Sequence, residues 1–269
     1  MPDNYRVATV QMHAGSDKAA NVAIATRLVS EAASAGAKLV VLPEFFNLLC
    51  SLDEMVQQAE LIPGATSEAM RALAAEHQIM LLAGTFCERA EQPGKAYNTS
   101  LLFDPEGQEL ARYRKMHLFD VELPEVTFQE SRCIVPGAGV VATPTTLGCL
   151  GQATCYDLRF PELFRQLAQR GMEVLLFPSA FAASTGRAHW EVLLRARAIE
   201  NQAFVIAANQ YGQHTPNLTT YGHSMIIDPW GEILAEAAEG DAVVVADLDF
   251  NRLIEIRRRL PALAHRRLF

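Results

Sequence analysis

Gly151-Gln-Ala-Thr-Cys-Tyr-Asp-Leu-Arg-Phe-Pro-Glu162 reads as the end of a strand, a turn and the start of a helix. The stretch finishes an apolar run over Cys149 to Thr154. Pro161 then opens a helix that runs to Arg170 and is closed by Gly171, because proline suits the first helical position and glycine the exit. A thiol, Cys155, stands at the junction. A nearby helix N-terminus favours the thiolate form of such a cysteine. Most free cysteines are nevertheless inert core residues, so the thiol acquires meaning only if other segments supply partners.

On either side, short β-branched runs alternate with helical patterns. Downstream, Val174 to Phe177 reads as a strand, His189 to Asn201 as a helix, Phe204 to Ala208 as a strand, and Asp228-Pro-Trp-Gly231 as a hairpin turn. Upstream the same order occurs once before. Val7 to Val10 is a strand, and Ser16 or Asp17 caps a helix carrying Val22, Ala25, Val29 and Ala32 at helical spacing. Gly36 ends that helix, and Leu39 to Leu42 follows as a strand buried on both faces. Ser67 to His77 is a helix and Ile79 to Ala83 a strand. Tyr97 to Asp104 and Glu109 to Tyr113 then flank a turn at Pro105-Glu-Gly107. Two α/β blocks, each ending in a hairpin, imply an internal pseudo-duplication. With no low-complexity spacer between them, residues 1–269 read as a single domain with a helix-covered mixed sheet in each half.

Composition narrows the function. The 269 residues are 50 % hydrophobic, enough for a large core. Against 23 basic residues stand 31 acidic ones, a net charge of −8, which disfavours nucleic acid and membrane surfaces as partners. Basic residues gather at Arg257-Arg-Arg259 and Arg266-Arg267, in the pattern of a solvated helix face and tail. Five cysteines without CxxC spacing argue against a disulfide framework or zinc knuckle and fit a reducing compartment. Met1-Pro-Asp-Asn-Tyr-Arg6 lacks the charged and apolar regions of a secretion signal, and no apolar run approaches the ~20 residues of a membrane span. The expectation is a cytoplasmic protein.

Three strands end on a polar group: Leu42-Pro43 on Glu44, Thr154 on Cys155, and Phe177-Pro178 on Ser179. The carboxyl ends of strands are where α/β sites form. Lys115 follows the hairpin strand that ends at Arg114. A nucleophilic thiol needs a base for its proton and a cation or dipole for the oxyanion that attack creates. Glu44 can be the base, and Lys115 with the backbone N–H of Tyr156 can hold the oxyanion. Taken singly, a glutamate after proline is a turn residue and a lysine in a basic stretch is solvated. His117, His189 and His223 are alternative bases, but the surroundings of Cys155 are not those of papain-like proteases. His189 stands at an expected helix start, where it can instead cap or brace the turn. GxSxG, HExxH and a phosphate loop followed by Lys-Ser/Thr are all missing, so no metal, nucleotide or other cofactor is expected.

With Leu42-Pro-Glu-Phe45, Tyr113-Arg-Lys-Met-His-Leu-Phe119 and Cys155-Tyr-Asp-Leu-Arg-Phe-Pro161 in this order, the chain resembles the nitrilase, or carbon–nitrogen hydrolase, superfamily over nearly its whole length. The resemblance implies a four-layered α-β-β-α sandwich, a homodimer or higher homo-oligomer joined through helix layers, and a Glu44–Lys115–Cys155 triad. Cys155 would attack an amide carbon, Glu44 would take the thiol proton, and Lys115 would stabilise the tetrahedral intermediate. A second glutamate of the family matches Glu130, which would orient Lys115 and the substrate or water. Pro178-Ser-Ala-Phe181, the stretch Thr185 to Glu200 and Tyr221-Gly-His-Ser-Met225 look like the branch of deaminated glutathione amidases and omega-amidases. The substrate implied is a small carboxylated amide. Arg187 stands where that branch usually has proline; it either binds a substrate carboxylate or faces solvent. Arg132 and Arg159 are the other candidate clamps, with Arg159 reading as a brace for the loop after the cysteine.

Overall fold

The computed structural model describes residues 3–123 and 126–268; Met1 and Pro2, part of the N-terminal stretch read above, lie outside the described residues. Its helices are α1 (Lys18–Ser34), α2 (Leu52–Gln57), α3 (Ala65–His77), α4 (Pro161–Gln169), α5 (Ala183–Asn201) and α6 (Phe250–Arg259). Of the two candidate caps for α1, Asp17 takes the role, its side chain accepting a 3.0 Å bond from the Ala20 N–H. Gly171 follows α4 at φ +90, a conformation open to a residue without Cβ.

Two sheets carry the fold. In the first, Tyr5–Gln11, Leu39–Val41 and Met80–Leu82 run parallel, flanked by the antiparallel strands Ala242–Leu248 on one side and Ala96–Phe103 on the other. In the second, Gly148–Gln152, Val174–Ser179 and Phe204–Asn209 run parallel, flanked by antiparallel Val141–Thr145 and Met225–Ile227. Three parallel strands between two antiparallel ones, twice, is the pseudo-duplication expected from the sequence.

Residue alternation makes four layers out of these parts. In the first sheet Ala8, Val10, Val40 and Leu81 point outward to Leu28, Val29, Met70 and Leu73 of α1 and α3. Val7, Leu39, Val41 and Leu82 point the other way, meeting Leu150, Val174, Leu176 and Ile206 of the second sheet. The outer face of the second sheet packs on Phe164, Leu167, Trp190 and Leu194 of α4 and α5. Three apolar cores separating helix, sheet, sheet and helix give the α-β-β-α sandwich. Strands covered on both faces explain the unbroken apolar runs of the sequence.

Several elements differ from the sequence reading. Helix α5 begins at Ala183, not His189. Its first turn is made of small residues with no apolar period, and Gly186 resembles a breaker; here it brings the helix against the Tyr221 ring. Helix α2 and the strand Phe86–Arg89 were not foreseen, since six and four residues are too short to show a period.

Candidate active site

Glu44, Lys115, Glu130 and Cys155 line one cavity, of about 40 Å³, together with Phe45, Leu49, Cys50, Met55, Phe119, Phe128, Ala180, Ala182 and Leu218. The first four come from four separate segments and are all buried.

Glu44 is fixed by both sheets. It leaves the Leu39–Val41 strand through Pro43, and its N–H donates to the Ser179 carbonyl at 3.3 Å. Its Oε2 accepts from the Ala180 N–H at 2.8 Å, and its carbonyl accepts from Gln210 Nε2 at 3.0 Å. Its Oε1 accepts from Lys115 Nζ at 2.9 Å and from Asn98 Nδ2 at 2.8 Å. Every direction of movement breaks a bond.

Lys115 follows the Glu109–Arg114 strand and is 2 % exposed, which for an ammonium demands partners. Besides Glu44, its Nζ donates to Glu130 Oε2 at 2.9 Å and Oε1 at 3.2 Å. Glu130 sits on a single 3₁₀ turn, Glu130–Arg132, and also accepts from the Phe119 N–H at 2.7 Å and from Asn98 Nδ2 at 3.2 Å. Glu130 is thus a buried carboxyl group rather than an exposed loop residue. Burial by itself would depress the lysine, but the two carboxylates outweigh it and hold Lys115 well above its ordinary value. Glu130 is raised from the usual carboxylate range, by burial first and by Glu44 besides, with Lys115 pulling against both.

Cys155 opens the 3₁₀ turn Cys155–Arg159 with φ +47, an uncommon conformation for a residue with a side chain. Five residues separate it from the start of α4, so the helix field expected from the sequence does not dominate. Burial pushes the thiol up, Glu44 adds to that, and Lys115 with Ser179 opposes it. The Glu44 side chain is a hydrogen-bonding neighbour of the sulfur. Tyr156 directs its ring edge-on to Phe119 and Phe160 while its backbone follows the sulfur directly.

The remaining sequence candidates lie elsewhere. Arg187 and His189 are exposed on α5. Because α5 starts earlier than expected, both residues stand inside a helix whose buried face is made by Gly186 and Trp190, and they turn to solvent. Arg187 borders a separate cleft with Tyr211, Tyr221 and His223, and His189 Nδ1 lies 3.2 Å from Arg159 Nη1. Arg132 is engaged with Asp53 at 2.9 Å, and the Arg159 guanidinium stands over Phe181. Lys115 is the one cation among the described residues that line the cavity. Sequence reasoning missed Asn98, the amide that donates to both carboxylates. An asparagine inside an apolar strand run was the available signal. Among the described residues there is no cluster of His, Cys, Asp or Glu that could hold a metal ion, and no helix long and apolar enough to cross a membrane.

The layered sandwich delivers a thiol, two carboxyl groups and a lysine into one cavity, an arrangement suited to breaking a carbon–nitrogen bond. The carbon–nitrogen hydrolase family matches residues 6–258. The chain is 45 % identical to the deaminated glutathione amidase of Synechocystis, covering 97 % of this chain and 98 % of that one. It is 41 % identical to the human omega-amidase, covering 98 % and 95 %. Among solved structures it is similar to Saccharomyces cerevisiae Nit3, a member of branch 10 of the nitrilase superfamily, with 34 % identity, TM-score 0.90, and coverage of 99 % and 97 %. The chain belongs to the carbon–nitrogen hydrolase family of the nitrilase superfamily, and is an amidase acting on non-peptide C–N bonds.

Proposed function

We propose that the chain is a thiol amidase for a small carboxylated amide, cleaving deaminated glutathione to 2-oxoglutarate and Cys-Gly, with 2-oxoglutaramate as the alternative substrate. The observation that carries the chemistry is Lys115 Nζ held at 2.9 Å from both Glu44 and Glu130 in the cavity that contains the Cys155 sulfur. The carboxylated substrate is supported by the likeness to the two amidases named above.

In this reading Glu44 takes the thiol proton as the sulfur attacks the amide carbon. Proton transfer to Glu44 accompanies the attack, so the base works at the moment the C–S bond forms. The carbonyl oxygen becomes an oxyanion held by Lys115 Nζ and the Tyr156 N–H. The C–N bond breaks as Glu44 returns the proton to the leaving amine. Glu44 then deprotonates water, which hydrolyses the thioester and frees the acid and the thiol. Glu130 keeps Lys115 oriented.

We take residues 1–269 as one hydrolase domain of a cytoplasmic enzyme. Two copies pair through the exposed face of α5, where Val192, Ile199 and the neighbouring Trp230 are 65 %, 50 % and 57 % exposed. Light scattering on the eluting protein would give a dimer mass, and a monomer would dismiss the pairing. For the reaction, mass spectrometry of enzyme quenched during turnover should find a 2-oxoglutaryl adduct on Cys155. Turnover of 2-oxoglutaramate with none of deaminated glutathione would replace the preferred substrate by the alternative, and no adduct with either would overturn the reading.

A further inference from the structure

The Asp157 side chain, two residues beyond the thiol, is fully buried and accepts four hydrogen bonds. Its Oδ2 takes the Tyr113 hydroxyl at 2.6 Å and the Thr154 N–H at 2.8 Å. Its Oδ1 takes the His117 N–H at 3.0 Å and, at 2.7 Å, His117 Nδ1, the ring donating. The donors fall into two sets. Thr154 immediately precedes Cys155, whereas Tyr113 and His117 lie two residues before and two residues after Lys115. One carboxylate thus ties the turn that bears the sulfur to the segment that bears the ammonium. These segments belong to the two different halves of the pseudo-duplication, and nothing in the local backbone of either fixes their separation.

Three further details fit a clamp. Cys155 is held at φ +47, which persists only where surrounding bonds over-determine it. His117 stacks on Phe160, with ring centroids 3.8 Å apart and 7° between planes, so its Nδ1 has little freedom to turn away. Tyr113 is itself buried and passes the link on, its hydroxyl oxygen accepting from the Met116 N–H at 3.3 Å.

We propose that Asp157, through Tyr113 and His117, is the positioning residue that sets the register between the Lys115 ammonium and the Cys155 sulfur. The proposal rests on the reading of Cys155 and Lys115 as nucleophile and oxyanion partner. Asp157 touches neither substrate nor the reacting atoms. Its loss moves kcat while leaving substrate binding near its original strength.

The experiment compares Asp157→Asn, Tyr113→Phe, His117→Asn and His117→Ala with the unaltered enzyme. Amide turnover is read as kcat and KM, alkylation of Cys155 by iodoacetamide is followed by mass spectrometry, and melting is recorded alongside. In Asp157→Asn, kcat should fall by about a hundredfold with KM changed by less than about threefold, the pattern of a lost transition-state interaction. His117→Asn keeps an N–H donor near the Nδ1 position and should retain several times the kcat of His117→Ala. Alkylation should slow in Asp157→Asn because the sulfur loses its fixed ammonium neighbour. Unchanged kcat in a folded Asp157→Asn, or equal losses in the two His117 variants, would overturn the proposal. Should Asp157→Asn not fold, the His117 pair and Tyr113→Phe decide it alone. The alkylation rates need no amide substrate, so they separate a failure of the clamp from a failure of the proposed reaction.

Discussion

Cys155 shows how little a motif says about a residue's charge. Its position after an apolar strand made it visible in the sequence, as did the same placement for Glu44. The burial that raises the thiol was not visible, because it depends on packing between segments distant in the chain. Cys155→Ala should reduce kcat by about a thousandfold or more while melting within a few degrees of the parent, since the methyl group occupies the thiol's place. A variant that turned over normally would remove the nucleophile. Asn98 was illegible for a related reason: its partners Glu44 and Glu130 are 54 and 32 residues away, and a single amide in a strand carries no motif. Asn98→Ala leaves both buried carboxylates short of a donor. It should cost about 1–3 kcal/mol in urea unfolding and lower kcat together with it. Equal stability and activity in the variant would mean that Asn98 organises nothing.

At the level of elements, the long ones were legible and the short ones were not. Strands buried on both faces announce themselves as continuous apolar runs, and α1 and α3 by period and caps. Helix α2 is set instead by Ser51, whose hydroxyl receives the Glu54 N–H at 3.4 Å, and by the packing of Leu52 and Met55. The start of α5 was hidden by residues chosen for close approach to Tyr221 rather than for helicity. That displacement also misplaced Arg187 and His189. A comparable close approach occurs at Gly137, whose N–H donates to the Lys115 carbonyl at 2.8 Å. A Cβ at Gly137 would overlap the Arg114 carbonyl oxygen, and the backbone there cannot yield without carrying Lys115 along. Gly137→Ala should therefore lower kcat by about tenfold or more at a site that touches no substrate, as displacement of a catalytic group by about 1 Å suffices for a large loss. Steady-state kinetics on the folded variant tests this, and an unaffected kcat would show that the strand end tolerates the shift.

The whole molecule answers to pH through a stacked histidine pair that is not among the residues lining the cavity. His214 stacks on His13 with centroids 4.5 Å apart, its Nδ1 facing the Ala14 carbonyl at 2.7 Å. Burial, with His13 adding to it, lowers the ring to about 4. The folded state therefore favours neutral imidazole. Its contribution is intact above the ordinary value of 6.5 and is lost as pH falls from there toward 4. The loss amounts to about 3 kcal/mol at most, and His214→Gln should flatten the melting profile over that interval. A parent protein whose melting temperature is constant from pH 6.5 to 4 would contradict the assignment. Duplication of α/β blocks was readable from the order of elements, yet the sequence did not disclose how the first sheet is finished. Its outer strand is Ala242–Leu248, paired antiparallel along all of Tyr5–Gln11. This arrangement has a consequence for synthesis. As the chain leaves the ribosome, the opening strand waits with one row of N–H and C=O groups unpaired until residue 248 has emerged, long after Glu44, Lys115 and Cys155 have been made. Such an open edge invites pairing with other chains, so the nascent protein depends on chaperones or speed, and a chain stopped before Ala242 would aggregate although all three residues of the proposed triad are present.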